Sequence, residues 1–259
     1  MGDSEKGKGS YLDSLLNLDS LRKSLIRQED TIIFSLIERS KYPINSPLYN
    51  DTGPGDLSSS LLEFFIKESE GLQAKVGRYA SPEENAFFPN NLPSSLLDPP
   101  NHAPVLHPPA AAVNINEKIL NLYLRTLLPL ISVEGDDGNY AVTAASDLQC
   151  LQTLSRRIHL GKFVAEVKFR DAPEDYIPAI RAKDREALMK LLTFQKVEEK
   201  IIKRVEKKAM IFGQEVELDE NDNKGKCKVD PCVVSRLYGE WVIPLTKFVE
   251  VEYLLRRLD

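Results

Sequence analysis

LQTLSRRIHLGKFVAEVKF, residues 151–169, is the stretch whose reading decides the fold. Leu151, Leu154, Ile158, Phe163, Val164 and Val167 recur at the three- and four-residue spacing that places apolar side chains on one face of an α-helix. Leu148 extends the face by a turn, and Ser146 and Asp147 are residue types that cap helices. The pattern predicts one long helix from Ser146 or Asp147 to about Phe169.

The same period returns on both sides. Asp19 reads as the N-cap of a helix carrying Leu21, Leu25, Ile32, Leu36 and Ile37, and a second helix runs from about Leu57 to Val76, with Gly77 as its stop. Helix resumes near Asn116 and continues to about Ile131, before the turn-rich stretch from Glu134 to Asn139. Further on, helices are expected over 184–192 and 195–212, the latter stopped by Gly213. Asp230-Pro231 forms a cap and first-turn pair for the next helix, and Pro244 should kink or divide the segment leading to the C-terminus. Only Phe212 to Leu218 could pass as a strand in isolation. The class is all-α: a single-domain multi-helix bundle over 1–259, with residues 1–10 read as a flexible N-terminus. Residues 81–112 hold eight of the sixteen prolines, but also Phe87, Phe88, Leu92, Leu96, Leu97, Val105 and Leu106. Few disordered linkers carry so many large apolar side chains, so this is read as a Pro-rich loop packed on the helices.

Composition removes several function classes. With 42% hydrophobic residues in 259, the chain can bury a substantial core. Asp and Glu (39) outnumber Lys and Arg (34), leaving a net charge of -5 with both signs interspersed, which argues against nucleic-acid binding. No stretch is long and apolar enough to span a membrane, and the first residues show neither a secretory nor an import pattern, so the expected address is the cytosol. Cys150, Cys227 and Cys232 have neither the number of a disulfide framework nor the spacing of a zinc site.

The candidate chemistry is that of fixed charges. Arg157 and Lys168 lie eleven residues apart, about three turns at roughly 3.6 residues per turn, so both leave the same helix face, with Gly161 and Val164 between them. Two cations flanking a glycine suit a small anion. On spacing alone the commoner reading is that they snorkel at a helix edge while Gly161 lets another helix approach. Arg22 borders its helix's apolar face, and Glu198 in VEEK is favoured by the helix dipole whatever its function. Thr246 and Glu250 are one turn apart, and valines flank Glu250, which in a core would need a partner or a raised pKa. The three histidines form no metal cluster or nucleophile and base pair, and the glycines spell no phosphate loop.

Taken together, RKSLIRQEDTIIFSLIERS (22–40), SPEENAFFP (81–89), GDDGNY (135–140), residues 151–169, VEEKI (197–201) and VIPLTKFVEVEYLLRRLD (242–259) closely resemble the eukaryotic chorismate mutases over nearly the whole chain, and the cytosolic plant form in particular. The resemblance implies an all-helical homodimer that isomerises chorismate to prephenate, toward phenylalanine and tyrosine, without metal or cofactor. By position, Arg22 and Arg157 should bind the two substrate carboxylates, and Lys168 should reach a carboxylate and the ether oxygen. Glu198 should receive the substrate hydroxyl, Thr246 should line the pocket, and Glu250 should face the ether oxygen. Phe194 stands where some members have asparagine, a contact Gln195 could replace. Regulated members bind tyrosine or tryptophan through arginines before the SPEE-like motif and small or hydroxyl residues after the GN-aromatic turn. Here the equivalents are Gly77, Arg78, Asn139, Ala141, Val142 and Ala145, so weak or absent control by aromatic amino acids is expected. The alternative is a catalytically silent helical interaction protein of the same fold.

Overall fold

The computed structural model describes residues 16–50, 59–98, 104–215 and 227–259; the N-terminal stretch 1–10 lies outside them. The fold is all-α. In chain order the main helices are α1 (Leu18–Arg39), α2 (Leu61–Lys75), α3 (Asn116–Leu122), α4 (Tyr140–His159), α5 (Gly161–Asp171), α6 (Pro173–Arg181), α7 (Arg185–Leu192), α8 (Gln195–Gly213), α9 (Pro231–Arg236) and α10 (Ile243–Leu254). Among the described residues the one extended pairing is an isolated bridge between Gln214 and Cys227, so the stretch from Phe212 as far as it is described forms no strand.

Local chemistry explains where the ends fall. The cap of α1 is Asn17, not Asp19: its Oδ1 accepts the N–H groups of Asp19 at 3.1 Å and Ser20 at 3.0 Å. Asp19 sits in the first turn, where its charge meets the positive end of the helix dipole. Ser60 caps α2 through Glu63 N, and Gly77 follows that helix in the left-handed region at φ 84. Asp230 caps α9 as expected. A π-helical turn, Leu237–Val242, joins α9 to α10 and absorbs Pro244 into the first turn of α10 instead of dividing the helix. Periodicity gave no sign of α6, which Pro173 opens.

The largest departure concerns α4, which begins at Tyr140 and not at Ser146 or Asp147. Asp147 is fully buried inside the helix, accepting from Arg39 Nε at 2.5 Å, the Tyr49 hydroxyl at 2.7 Å and the Tyr123 hydroxyl at 2.6 Å. Arg39 also donates to the carbonyls of Tyr42, Pro43 and Ile44, which ties the chain after α1 into the core. A short polar residue before an apolar run looks the same in sequence whether it caps a helix or serves a buried network whose partners lie far along the chain.

The Pro-rich loop packs at both ends. Glu70 of α2 accepts the backbone N–H groups of Phe87 (2.7 Å) and Phe88 (2.9 Å), and buried Lys162 donates to Asn85 Oδ1 and the Ala111 carbonyl. Val105 and Leu106 are buried, whereas Leu96 and Leu97 are exposed and do not join the packing. One apolar cluster joins α1, α3, α4, α8 and the π-helical turn; a second joins α5, α6, α7 and the end of α10.

The helix predicted from Ser146 or Asp147 to about Phe169 is divided into two segments, α4 and α5. Leu160 is a single turn residue between α4 and α5, yet its N–H still bonds Arg156 O at 3.0 Å, and Val164 N bonds Leu160 O at 3.2 Å, so the two segments are continuous. Gly161 opens α5 at the place where α10 crosses it. A Cβ added there would lie 2.8 Å from the Thr246 backbone oxygen and 3.3 Å from Glu250 Cγ. The glycine therefore leaves no vacant space between the cations; it lets α10 bring Thr246 and Glu250 against α5. Gly161→Ala is expected to cost about 2 kcal/mol net, overpacking of up to about 3 offset by about 1 of helix propensity, and to lower the melting midpoint by roughly 4–8 °C together with activity. Calorimetry and a rate assay on the same sample check it.

Candidate active site

A cavity of about 370 Å³ opens where the start of α1, the joint between α4 and α5, the turn between α7 and α8, and α10 converge. All six residues singled out in the sequence line it: Arg22, Arg157, Lys168, Glu198, Thr246 and Glu250. They come from five helices, and Leu21, Leu25, Val164, Leu192, Ile201 and Ile243 supply apolar wall between them.

Arg157 forms the floor. It is 4% exposed, its Nη1 lies 3.3 Å from Thr246 Oγ1, its guanidinium stands 5.9 Å from the Tyr238 ring centroid, and its buried Nε has no hydrogen-bond partner among the described residues. A buried N–H left unpaired is costly unless a ligand fills the vacancy. The Thr246 hydroxyl donates to Val242 O at 2.6 Å, leaving its oxygen free to accept from Arg157.

Across the cavity Lys168 Nζ lies 3.2 Å from Glu250 Oε2. Burial raises the Glu250 carboxyl above the ordinary range, against the opposing pull of Lys168, Arg157 and Lys247. The two outcomes offered for a core-facing Glu250, a partner or a raised pKa, thus occur together. Phe194 caps Lys168 with its ring, 5.2 Å from Nζ, so an apolar face covers this side of the site. Gln195 does not supply the missing amide, because its side chain donates to Glu199 on the outside of α8.

Sequence reasoning missed Lys247. It lines the cavity, reaches both Glu198 oxygens at 3.0 and 3.1 Å, and donates to Thr193 Oγ1 at 3.3 Å. Its place next to Thr246 was a weak signal, since the pairing with Glu198 is long-range. Lys247→Ala is expected to lower kcat/KM about tenfold, the worth of one charge-assisted hydrogen bond, in steady-state kinetics. Arg22 stands at the mouth, its side chain 64% exposed and turned to Asp19 Oδ1 at 3.2 Å.

Four cations, Arg22, Arg157, Lys168 and Lys247, thus face two carboxylates, one of them biased toward its neutral form. The cavity is built for a small anion with more than one negative group. The profile of the family described as chorismate mutase type II matches residues 139–251, which include Arg157, Lys168, Glu198, Thr246 and Glu250. Chorismate mutase 2 of Arabidopsis thaliana is 62% identical over 260 residues, covering 98% of each chain. The chain belongs to the chorismate mutase family. It is an isomerase of that family. The cytosolic chorismate mutase 2 of Zea mays is 54% identical, covering 94% of this chain and 97% of its own. Among solved structures, AtCM1 with tyrosine in its allosteric site superimposes with a TM-score of 0.84 at 52% identity, covering 93% and 96% of the two chains. The Candida albicans chorismate mutase Aro7p in complex with L-Trp gives 0.88 at 37%, covering 95% and 94%.

Those two structures run against the expectation of weak or absent effectors. That expectation rested on the side chains that replace the usual anchors and on the resemblance to the cytosolic form, whereas the relatives in both structures hold an aromatic amino acid. In this chain Arg78 reaches Glu84 at 3.0 Å and Gln152 at 2.8 Å, Asn139 bonds Asp137, and Ala141, Val142 and Ala145 are exposed along the start of α4.

Proposed function

We propose that the chain converts chorismate to prephenate by electrostatic preorganisation, as one catalytic domain spanning 1–259 that assembles as a homodimer and works in the cytosol toward phenylalanine and tyrosine. The observation that carries the reading is the excess of cations in a half-open cavity, with an N–H of buried Arg157 on its floor that has no partner among the described residues. The substrate is a dianion, and a pericyclic rearrangement breaks its carbon–oxygen ether bond as a carbon–carbon bond forms, so no nucleophile is needed. Arg157 holds one carboxylate and Arg22, swinging in from Asp19, holds the other. Lys168 spans a carboxylate and the ether oxygen, Glu198 accepts the substrate hydroxyl, and Thr246 fixes the Arg157 fork. Protonated Glu250 donates to the ether oxygen as negative charge grows there. The clamps also hold the flexible substrate in its compact chair form. The cytosolic placement rests on likeness to the maize relative named as cytosolic.

Purified protein mixed with chorismate in EDTA tests this, with loss of chorismate and appearance of prephenate followed together. Stoichiometric conversion supports the reading; a folded chain that converts nothing favours the silent interaction protein.

A further inference from the structure

Thr246, Glu250, Tyr253 and Arg257 recur at i, i+4, i+7 and i+11, one stripe of the C-terminal segment, and all four meet α5. Thr246 lies against Gly161, and Glu250 pairs with Lys168. Tyr253 and Arg257, outside the cavity, both bond Glu166. Along α5 the contacts are 161 with 246 and 250, 166 with 253 and 257, and 168 back to 250. The stripe that carries the reactive carboxyl is therefore fastened to the helix that carries Lys168 at a point beyond the pocket.

The fastening is a saturated one. Glu166, two residues before Lys168, has a fully buried side chain; its Oε1 accepts Arg170 Nε at 2.6 Å and Arg257 Nη2 at 3.2 Å. Its Oε2 accepts the Tyr253 hydroxyl at 2.7 Å and Arg257 Nε at 2.6 Å. Tyr253 in turn accepts the His107 N–H at 3.0 Å, and Arg170 donates to the Val105 carbonyl at 3.1 Å, so the returning limb of the Pro-rich loop joins the same point. Burial alone would raise the Glu166 carboxyl, but Arg257, Tyr253 and Arg170 hold it below the ordinary range. Charge-assisted bonds in a low-dielectric interior are the stiff ones, and four on one carboxylate leave α5 and the end of α10 little freedom to slide.

We propose that Glu166 is a positioning residue for the isomerisation: through Tyr253 and Arg257 it fixes the register of α10 on α5 and thereby the separation of Lys168 from Glu250. This rests on the reaction proposed above. A misplacement of about 1 Å at reacting groups can cost about 100-fold, whereas uniform binding by Arg157 and Arg22 on other helices is untouched.

Glu166→Gln and Tyr253→Phe, which keep volume, are compared with wild type for kcat, KM, the pH–rate profile and melting midpoint, with assays well below the midpoint. Expected is a fall in kcat of about 10- to 100-fold in Glu166→Gln and a smaller one in Tyr253→Phe, with KM moved less than about twofold. The alkaline limb set by Glu250, which Lys168, Arg157, Lys247 and Tyr176 face, should move to higher pH as Lys168 loosens. Tyr253→Phe decides if Glu166→Gln does not fold. Lower melting midpoints with wild-type kcat and pH profile would overturn the proposal, leaving a structural clamp only. A folded wild type that does not convert chorismate overturns the reaction, and the positioning role with it.

Discussion

Replacing Arg157 by alanine lowers kcat/KM by about 1000-fold, roughly 4 kcal/mol, while leaving the fold intact. The size follows from the absence of any substitute. Lys168 is committed to Glu250, Lys247 to Glu198, and Arg22 lies at the mouth against Asp19, so among the described residues no other cation reaches the floor of the cavity. The guanidinium is buried, where the surrounding low dielectric makes its interaction with a carboxylate strong. Stability holds because Arg157 has no carboxylate partner among the described residues, and because Thr246 keeps its bond to Val242 O. Arg157→Lys keeps the charge but not the planar fork, and should recover only part of the loss. An alanine variant within tenfold of wild type, folded and pure, would remove Arg157 from the substrate site.

Removing the Glu250 carboxyl costs about 100- to 1000-fold in kcat, as expected for a donor aimed at developing charge. Only the protonated form donates. Burial raises the pKa of this group in the folded chain, and a bound dianion raises it further, so activity falls as pH climbs through that value. Glu250→Gln keeps an N–H donor without an ionisation and should therefore retain more activity than Glu250→Ala. Stability carries the same sign. A carboxyl whose folded pKa lies above its unfolded value contributes fully below the unfolded pKa, and that contribution is lost as pH rises through the folded one. The melting midpoint of wild type should thus drop relative to Glu250→Gln as the solution becomes alkaline.

The fold class was legible because long apolar stripes at helical spacing leave no other solution; α1, α2, α8 and α9 begin or end close to where capping residues placed them. What failed were particular polar residues whose partners lie far along the chain. Asp147 passes for a helix cap until Arg39, Tyr49 and Tyr123 are seen around it, and Lys247 passes for a surface residue until Glu198 is brought opposite. Gly161 shows the middle case: its spacing between Arg157 and Lys168 marked the site, but the space it leaves is filled by α10. The site residues themselves came from resemblance. Periodicity alone would have left Arg22 and Glu198 as ordinary helix-surface charges, and the structure still shows Arg22 turned outward.

The most direct measurement is the pH–rate profile of wild type and Glu250→Gln side by side, with saturating chorismate and no metal. The account predicts an alkaline fall in kcat for wild type and none over the same range for the variant. The same fall in both proteins would contradict it, because the titrating group would then lie elsewhere and Glu250 would not be the donor to the breaking bond.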